Sequence, residues 1–241
     1  MRKFLIALVM APFAAFAFKS DDWLAKREVL SREAERLQVA YTSCVARVSE
    51  PATDVTIPIE RHPDGSVKAS ITAKKAQVFL DVGMVWGTEV VVTQFSTNGV
   101  VEARVEADCC VVDRTTKSGW VEGHAKAFYL GNEVEGDGIY FSFEEEFVTI
   151  YANTKIRVKD QKFDTKALVG GGDKNARRDA EIAARRTDFD RKDGVLLFDG
   201  AVSVADSEYS LGADMLYAFL DGTNSLKRIV ADGSEIGRAH V

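Results

Sequence analysis

The sequence predicts an all-β fold, an antiparallel sandwich or roll, preceded by one amphipathic helix. From Val55 onward apolar and polar residues alternate, which is typical of half-buried strands. Such strands recur roughly every eight to twelve residues and are separated by polar or glycine-containing turns. One hairpin pattern also occurs twice at a constant offset along the chain. These three observations favour a repetitive antiparallel sheet.

Composition and charge exclude several classes of protein. Of the 241 residues, 46% are hydrophobic, 28% charged and 10% aromatic, which is ordinary globular usage and excludes a disordered or collagenous chain. Lys and Arg total 31 against 37 Asp and Glu, a formal net charge of −6. We therefore expect no nucleic-acid partner, because such a surface needs a strongly basic field.

The N-terminus has the pattern of a secretory signal peptide over residues 1–17. Arg2 and Lys3 precede an apolar run over 4–18, and small residues surround a cleavage site after Ala17. A retained membrane anchor is the alternative, although the run is shorter than the roughly 20 residues that span a bilayer. Either route predicts an exported protein in an oxidising compartment.

A helix is predicted over residues 21–47, within a segment at 18–50. Ser20 or Asp21 can cap it, and Pro51 ends it. Its apolar residues recur every three or four positions and must pack against another surface, which is most simply the following sheet. They are Leu24, Leu30, Ala34, Leu37, Tyr41 and Val45.

Period-two alternation and turn residues predict the strands that follow. A His-Pro-Asp-Gly turn at 62–65 separates the first two. After the strand of Val55, Ile57 and Ile59, the predicted strands are 67–73, 77–80, 89–94, 100–107, 111–114, 120–130, 138–143 and 148–158.

The two copies of the hairpin are related by one constant offset, here called the repeat offset, which is the separation between Asp113 and Asp190. Asp113-Arg114 matches Asp190-Arg191, and the same offset relates several further pairs. These are Ala107 and Ala184, Val112 and Phe189, Gly123 and Gly200, Val134 and Leu211, Asp137 and Asp214, and Tyr140 and Tyr217. A glycine-containing segment at 160–178 separates the two copies and is interpreted as a flexible linker.

Residues 107–123 and 184–202 carry a family resemblance. Each runs from an alanine through Asp-Arg and a charged turn to apolar residues and a glycine, which resembles the OstA-like repeats of the periplasmic lipopolysaccharide-transport family, LptA and LptC. The chain departs from the repeat at His124 and Ala201, where the family usually has asparagine. Residues 51–159 are similar to the LptC-like form. Residues 179–233 are similar to the LptA-like form, and we expect this copy to be truncated.

The resemblance implies an OstA-like β-jellyroll, or β-taco, with a groove for lipid acyl chains. It implies lipopolysaccharide or a similar glycolipid as ligand, a periplasmic location in a Gram-negative cell, and a role in outer-membrane assembly. Implied partners are other lipopolysaccharide-transport proteins, joined through edge strands, and indirectly an inner-membrane ABC transporter. Whether the chain serves the LptC-type role, the LptA-type role or both stays open.

Candidate groove residues follow from alternation along the strands if Ala107 points inward. A fully packed sandwich core built from the same residues is the alternative. The candidates are Val112, Val121, Ala125, Ala127, Phe189, Phe198, Val202 and Val204.

Catalytic and metal-binding patterns are not found in the sequence. No Gly-x-Ser-x-Gly or His-Glu-x-x-His motif occurs, and His62, His124 and His240 lack ligand-like spacing. We therefore expect no enzyme activity, cofactor, catalytic residue or metal ligand. A secreted carbohydrate-binding or structural envelope β-sandwich remains as the alternative function, with the aromatic residues Trp86, Trp120 and Tyr129 as exposed stacking platforms.

Two further expectations concern the cysteines and the C-terminus. Cys44 can pair with Cys109 or Cys110, or all three can be small buried hydrophobic residues. Residues 235–241 resemble the translation of a sequencing adapter. On that interpretation the true C-terminus is missing and these residues leave the fold.

Overall fold

A computed structural model describes residues 20–129, 132–161, 178–205, 209–220, 226–233 and 235–238. The predicted signal peptide and residues 162–177 of the predicted linker lie outside the described residues. Within the described parts of the chain, no helix is long and apolar enough to cross a membrane.

One long helix, α1 (Ser20–Arg47), lies across the sheet and confirms the predicted helix. Asp21 and Asp22 lie in its first turn, where the helix dipole favours negative charge. Its buried seam differs from the predicted stripe, because Leu24 and Val45 are exposed. The buried residues instead recur at seven-residue intervals, which keeps them on one side of a helix. They are Trp23, Leu30, Leu37 and Cys44, with Ala34 beside them.

In the described part of the chain, the strands form a single antiparallel sheet of 13 strands, so the predicted all-β fold class is confirmed. Two pairs of predicted strands are each one continuous strand: β2 includes 67–73 and most of 77–80, and β4 includes most of 100–107 and 111–114. The strands are β1 (Ala52–Arg61), β2 (Val67–Phe79), β3 (Met84–Phe95), β4 (Val101–Asp113), β5 (Ser118–Tyr129), β6 (Asn132–Ser142), β7 (Phe147–Gln161), β8 (Arg178–Ala184), β9 (Arg186–Asp190), β10 (Val195–Ala205), β11 (Tyr209–Leu220), β12 (Leu226–Asp232) and β13 (Glu235–Arg238).

The second copy of the repeat continues the sheet of the first. Both β8 and β9 pair with β7 on one side and with β10 on the other. Together they correspond to β4 of the first copy. The break between them falls at Arg185, and the repeat offset relates Arg185 to Asp108, where the β4–β5 ladder shifts register. The two copies therefore share one sheet.

A line of left-handed backbone residues crosses the sheet and divides it into two halves. Gly123, Gly138, Asn153 and Gly200 fall where the β4–β5, β5–β6, β6–β7 and β10–β11 ladders shift register, while Asp54 and Glu89 continue the line across β1 and β3. Bulges bend a strand sharply, so their alignment folds the whole sheet along one line, here called the crease. The crease residues, with their φ angles, are Asp54 (52°), Glu89 (47°), Gly123 (73°), Gly138 (64°), Asn153 (53°), Gly200 (81°) and Ala201 (52°).

The two halves converge on one side of the crease, which we call the inner face. A Cβ added to Gly87 would lie 3.0 Å from the Cβ of Ala73 and 3.2 Å from Cγ2 of Val90, both beyond the crease. A Cβ added to Gly136 would overlap Cγ2 of Ile150 at 2.3 Å. Glycine is required at both positions because the inner face is tightest at the crease. Two apolar clusters fill this face, one from β2 to β7 and one from β7 to β11.

The helix covers the opposite face, here called the outer face, in the half that ends at the β4–β5 turn. It packs on a cluster that includes Trp86, Val111, Trp120, Tyr140 and Leu197. The expectation that Trp86 and Trp120 are exposed stacking platforms is therefore wrong, because α1 buries both. The side chain of Tyr129 is outside the described residues.

Ion pairs hold α1 at equivalent positions of the two copies. Nη2 of Arg36 donates to Asp113 at 2.7 Å, and Nζ of Lys26 donates to Asp190 at 2.8 Å. Each carboxylate also accepts the amide of a following turn residue, Thr115 at 2.8 Å and Asp193 at 3.1 Å. The repeated aspartate thus stabilises its own hairpin turn and also binds the helix.

The pairing of Asp113 with Arg36 predicts acid sensitivity. Burial raises the pKa of this carboxyl, but hydrogen bonds from Arg36 and the turn amides outweigh burial and leave the pKa below its ordinary value. Its contribution to stability is therefore complete above the unfolded pKa of about 3.9 and is lost as the pH falls below that value. In urea unfolding, the stability difference between wild type and Asp113→Asn should shrink from pH 7 to pH 3. A difference that is constant with pH would contradict this assignment.

The state of the three cysteines differs from the predicted pairing. All three cysteines are free, so the pairing of Cys44 with Cys109 or Cys110 is not formed. Burial raises the pKa of the Cys110 thiol to about 12, as expected of a small buried side chain.

Residues 235–238 pair with β11 as β13, beyond the end of β12. The expectation that the tail leaves the fold is therefore wrong for these four residues, because β11 offers them a free stretch of backbone.

Candidate functional site

All eight candidate groove residues lie on the inner face. Cross-strand partners in an antiparallel sheet point to the same side, so successive pairs trace rows across the strands. Val112 is followed by Gly119, Phe141, Val148 and Phe189 in one such row. Ala127 is followed by Val134, Ile156, Ile182 and Val204 in another.

Each row contains one candidate from the first copy and its counterpart at the repeat offset. Val112 shares a row with Phe189, and Ala127 shares a row with Val204. The other two pairs are Val121 with Phe198, and Ala125 with Val202. The sequence repeat is thus a structural repeat, and it makes the inner face continuous from β4 to β10.

The inner face is filled by its own side chains in this conformation. Val112, Val121, Ala125, Phe198 and Val202 are buried, whereas Ala127, Phe189 and Val204 are half-buried. These side chains therefore pack against one another, as the packed-core alternative describes.

Small residues form the row nearest the crease on one side. This floor is narrow because alanine and glycine leave little side chain between the two halves. The row consists of Ala73, Val90, Ala107, Ala125, Gly136, Thr154, Ala184, Val202 and Ala213.

The second copy is less tightly closed than the first. Ile156, Ile182, Leu211 and Ala213 of its cluster keep 5–8% of their surface exposed, whereas Val112, Val121 and Ile139 of the first copy keep at most 1%. Sequence reasoning did not single out two buried hydroxyls in this region, those of Thr154 and Thr187. For Thr187 the sequence does contain an indication. The repeat offset relates it to Cys110, so a hydroxyl occupies the position that a weakly hydrogen-bonding thiol occupies in the first copy.

Two histidines outside the inner face, His124 and His62, have structural partners. Nδ1 of His124 lies 2.9 Å from Asp137, whose pKa is lowered by hydrogen bonds first from Asn153 and then from His124. Nε2 of His62 lies 3.0 Å from the carbonyl of Phe95. Within the described ranges no group of three or more His, Cys, Asp or Glu residues is arranged to hold a metal ion.

The sheet has two ends with backbone available for pairing. In the described strand order, β1 lies at one end, while β12 and β13 lie end to end along β11 at the other. Pro58 lies within β1, where it lacks an amide donor, as is typical of an edge strand.

Comparisons with known proteins identify a structural similarity and no family. No family model matches the chain, and no curated protein matches its sequence. Among solved structures, the chain is similar to LptH from Pseudomonas aeruginosa, described as the LptA homologous periplasmic component of the conserved lipopolysaccharide transport device. That similarity has 8% identity and a TM-score of 0.43, and it covers 58% of this chain and 94% of LptH. At these values it assigns no function to this chain.

Proposed function

We propose that this protein is a periplasmic lipid carrier that holds the acyl chains of lipopolysaccharide, or of a similar glycolipid, between the two halves of its sheet during export to the outer membrane. The observation that carries the proposal is the inner face, a continuous apolar surface built twice from one repeat. The repeat that builds this surface is also the part of the sequence that resembles the lipopolysaccharide-transport family.

Acyl-chain burial supplies the binding energy. Each methylene removed from water contributes about 0.8 kcal/mol, so a chain of about a dozen carbons contributes on the order of 9–10 kcal/mol before the cost of opening the halves. That energy is enough to hold a lipid in water. Release then requires a driven step, which an inner-membrane ABC transporter acting through partner proteins would supply.

The fold allows the sheet to open without losing its ladders. The two halves contact each other through inner-face side chains, whereas every backbone ladder runs between neighbouring strands. A change of angle at the crease therefore separates apolar side chains and leaves the strand pairing in place. Because α1 packs on the outer face, it does not obstruct this opening.

Edge pairing is the proposed means of contact with transport partners. Strands β1, β12 and β13 end the described sheet, and exposed backbone on an edge strand is a template for another strand. Lipopolysaccharide-transport proteins that pair at these edges would extend the inner face from one molecule to the next.

Photo-crosslinking tests the acyl-chain site. The purified full chain carries benzophenone-alanine at Ala127 or at Val204, both half-buried on the inner face. The control position is Val39, which is exposed on α1. After irradiation with lipopolysaccharide, we expect lipid adducts from Ala127 and Val204 and none from Val39. Equal adducts from all three positions, or none from the inner face, would overturn the proposal.

A glycan array separates the carbohydrate-binding alternative from lipid carriage. The alternative needs exposed aromatic rings, and α1 buries Trp86 and Trp120. Binding to free oligosaccharides without acyl chains, together with no inner-face adducts, would favour the alternative over the lipid carrier.

A further inference from the structure

Among the described residues, two buried hydroxyls on the inner face have no hydrogen-bond partner. They are Oγ1 of Thr154 on β7 and Oγ1 of Thr187 on β9, and the two residues are only 2% and 3% exposed. Most buried polar side-chain atoms in folded proteins are paired, since an unpaired buried hydroxyl is costly. Two such atoms on one apolar surface need an explanation.

The two threonines lie on either side of the crease, where the two apolar clusters of the inner face meet. Thr154 pairs across the ladder with Ala184, in the row of small residues. Thr187 lies between Ile150 on β7 and Phe198 on β10, in the row on the other side of the crease. Both hydroxyls therefore face the space that a bound acyl chain would enter.

The repeat shows that the hydroxyl at position 187 is not needed to build the fold. The equivalent residue of the first copy is Cys110, a buried side chain that hydrogen-bonds weakly and is comfortable in an apolar core. The same backbone position thus accepts a side chain with little demand for a partner. This hydroxyl occurs in the second copy, whose inner-face side chains are less completely buried than those of the first. A ligand therefore reaches it more easily.

We propose that Thr154 and Thr187 form a polar subsite on the floor of the inner face, which binds a hydroxyl group carried by an acyl chain. A hydroxyl both donates and accepts a hydrogen bond, and so does each threonine, so a hydroxylated chain satisfies groups that a plain chain leaves unpaired. This inference rests on the proposed lipid-carrier function and specifies which acyl chains the site prefers.

Competition between matched fatty acids tests the subsite. The full chain is loaded with the fluorescent fatty acid cis-parinarate, which is then displaced with dodecanoate, 3-hydroxydodecanoate or 12-hydroxydodecanoate. We expect wild type to bind at least one hydroxylated chain about tenfold more tightly than dodecanoate, the ratio that one or two well-placed hydrogen bonds supply.

Valine substitutions remove the hydroxyls at nearly constant side-chain volume. The variants are Thr154→Val, Thr187→Val and the double variant that combines them. The double variant should bind all three fatty acids with equal affinity. Its melting temperature without ligand should equal or exceed that of wild type, since it loses no hydrogen bond. Thr53→Val, at an exposed position of β1, is the matched control and should keep the preference.

The outcomes distinguish this inference from the proposed function. If the three fatty acids displace cis-parinarate from wild type equally well, the threonine hydroxyls do not bind the hydroxyl of an acyl chain. The subsite proposal is then wrong, while the lipid-carrier proposal stands. A preference that survives in the double variant also overturns the subsite proposal. If cis-parinarate itself does not bind, the lipid-carrier proposal fails, and the subsite fails with it.

Discussion

Replacing Leu37 with alanine is expected to lower the free energy of unfolding by about 2–5 kcal/mol, the usual cost of removing a large side chain from a packed core. Leu37 is 0% exposed at the centre of the α1 seam, against the outer-face cluster that contains Trp86 and Trp120. The cavity would lie between two rigid elements, so we expect little relaxation and a loss in the upper part of this range. Urea unfolding followed by tryptophan fluorescence measures the change.

Val39→Ala is the matched control for this prediction. Val39 lies on the same helix two residues away but is 72% exposed. Its substitution should change stability by less than about 0.5 kcal/mol, as is usual for surface positions. Equal losses for the two variants would show that the helix is stabilised by its own propensity and not by packing on the sheet.

Replacing Asp188 with alanine should cost about 3–5 kcal/mol, because removing one member of a buried ion pair leaves its partners uncompensated. The Asp188 side chain is 0% exposed and accepts hydrogen bonds from Arg27 at 2.7 Å, from Arg186 at 2.9 Å and from Thr149 at 2.7 Å. Its loss would leave a buried hydroxyl and two guanidinium groups without their shared acceptor. Thermal and urea unfolding should show a lower midpoint.

Asp199→Ala is the control for the Asp188 prediction. Asp199 binds the same Arg27, but at 3.2 Å and with 29% of its side chain exposed. Pairs with this much solvent contact contribute about 0–1 kcal/mol, so the control should stay within that range. A smaller loss for Asp188→Ala than for Asp199→Ala would contradict the assignment of Asp188 as the more important partner of Arg27.

Much of the fold could be predicted from local patterns. The three- to four-residue spacing of apolar residues predicted α1, and alternation predicted strands at Val55–Ile59 and beyond. The repeat offset relates Val112 to Phe189, and these two residues lie in one row of the sheet. Alternation is a property of each strand by itself, and the offset carries it from one copy to the other. Their role in lipid binding stays a prediction.

Other features depended on contacts that no local pattern encodes. The strand pattern around Trp86 and Trp120 is the same whether that face meets solvent or a helix, and only the position of α1 decided that they are buried. Similarly, nothing in the neighbours of Thr154 indicates a hydroxyl without a partner, because its surroundings come from β6 and β8.

By itself, the sequence determined the helix, the strands, the turns and the doubled hairpin, since all of these follow from the spacing of residues close together in the chain. The tertiary structure alone decided that the sheet folds along a crease. The crease passes through Asp54, Glu89 and Asn153, which adopt left-handed backbone conformations without being glycine. Such conformations are unfavourable for a single residue and persist only where the surrounding strands impose them. The crease is therefore a property of the assembled sheet, and so is the inner face that it closes.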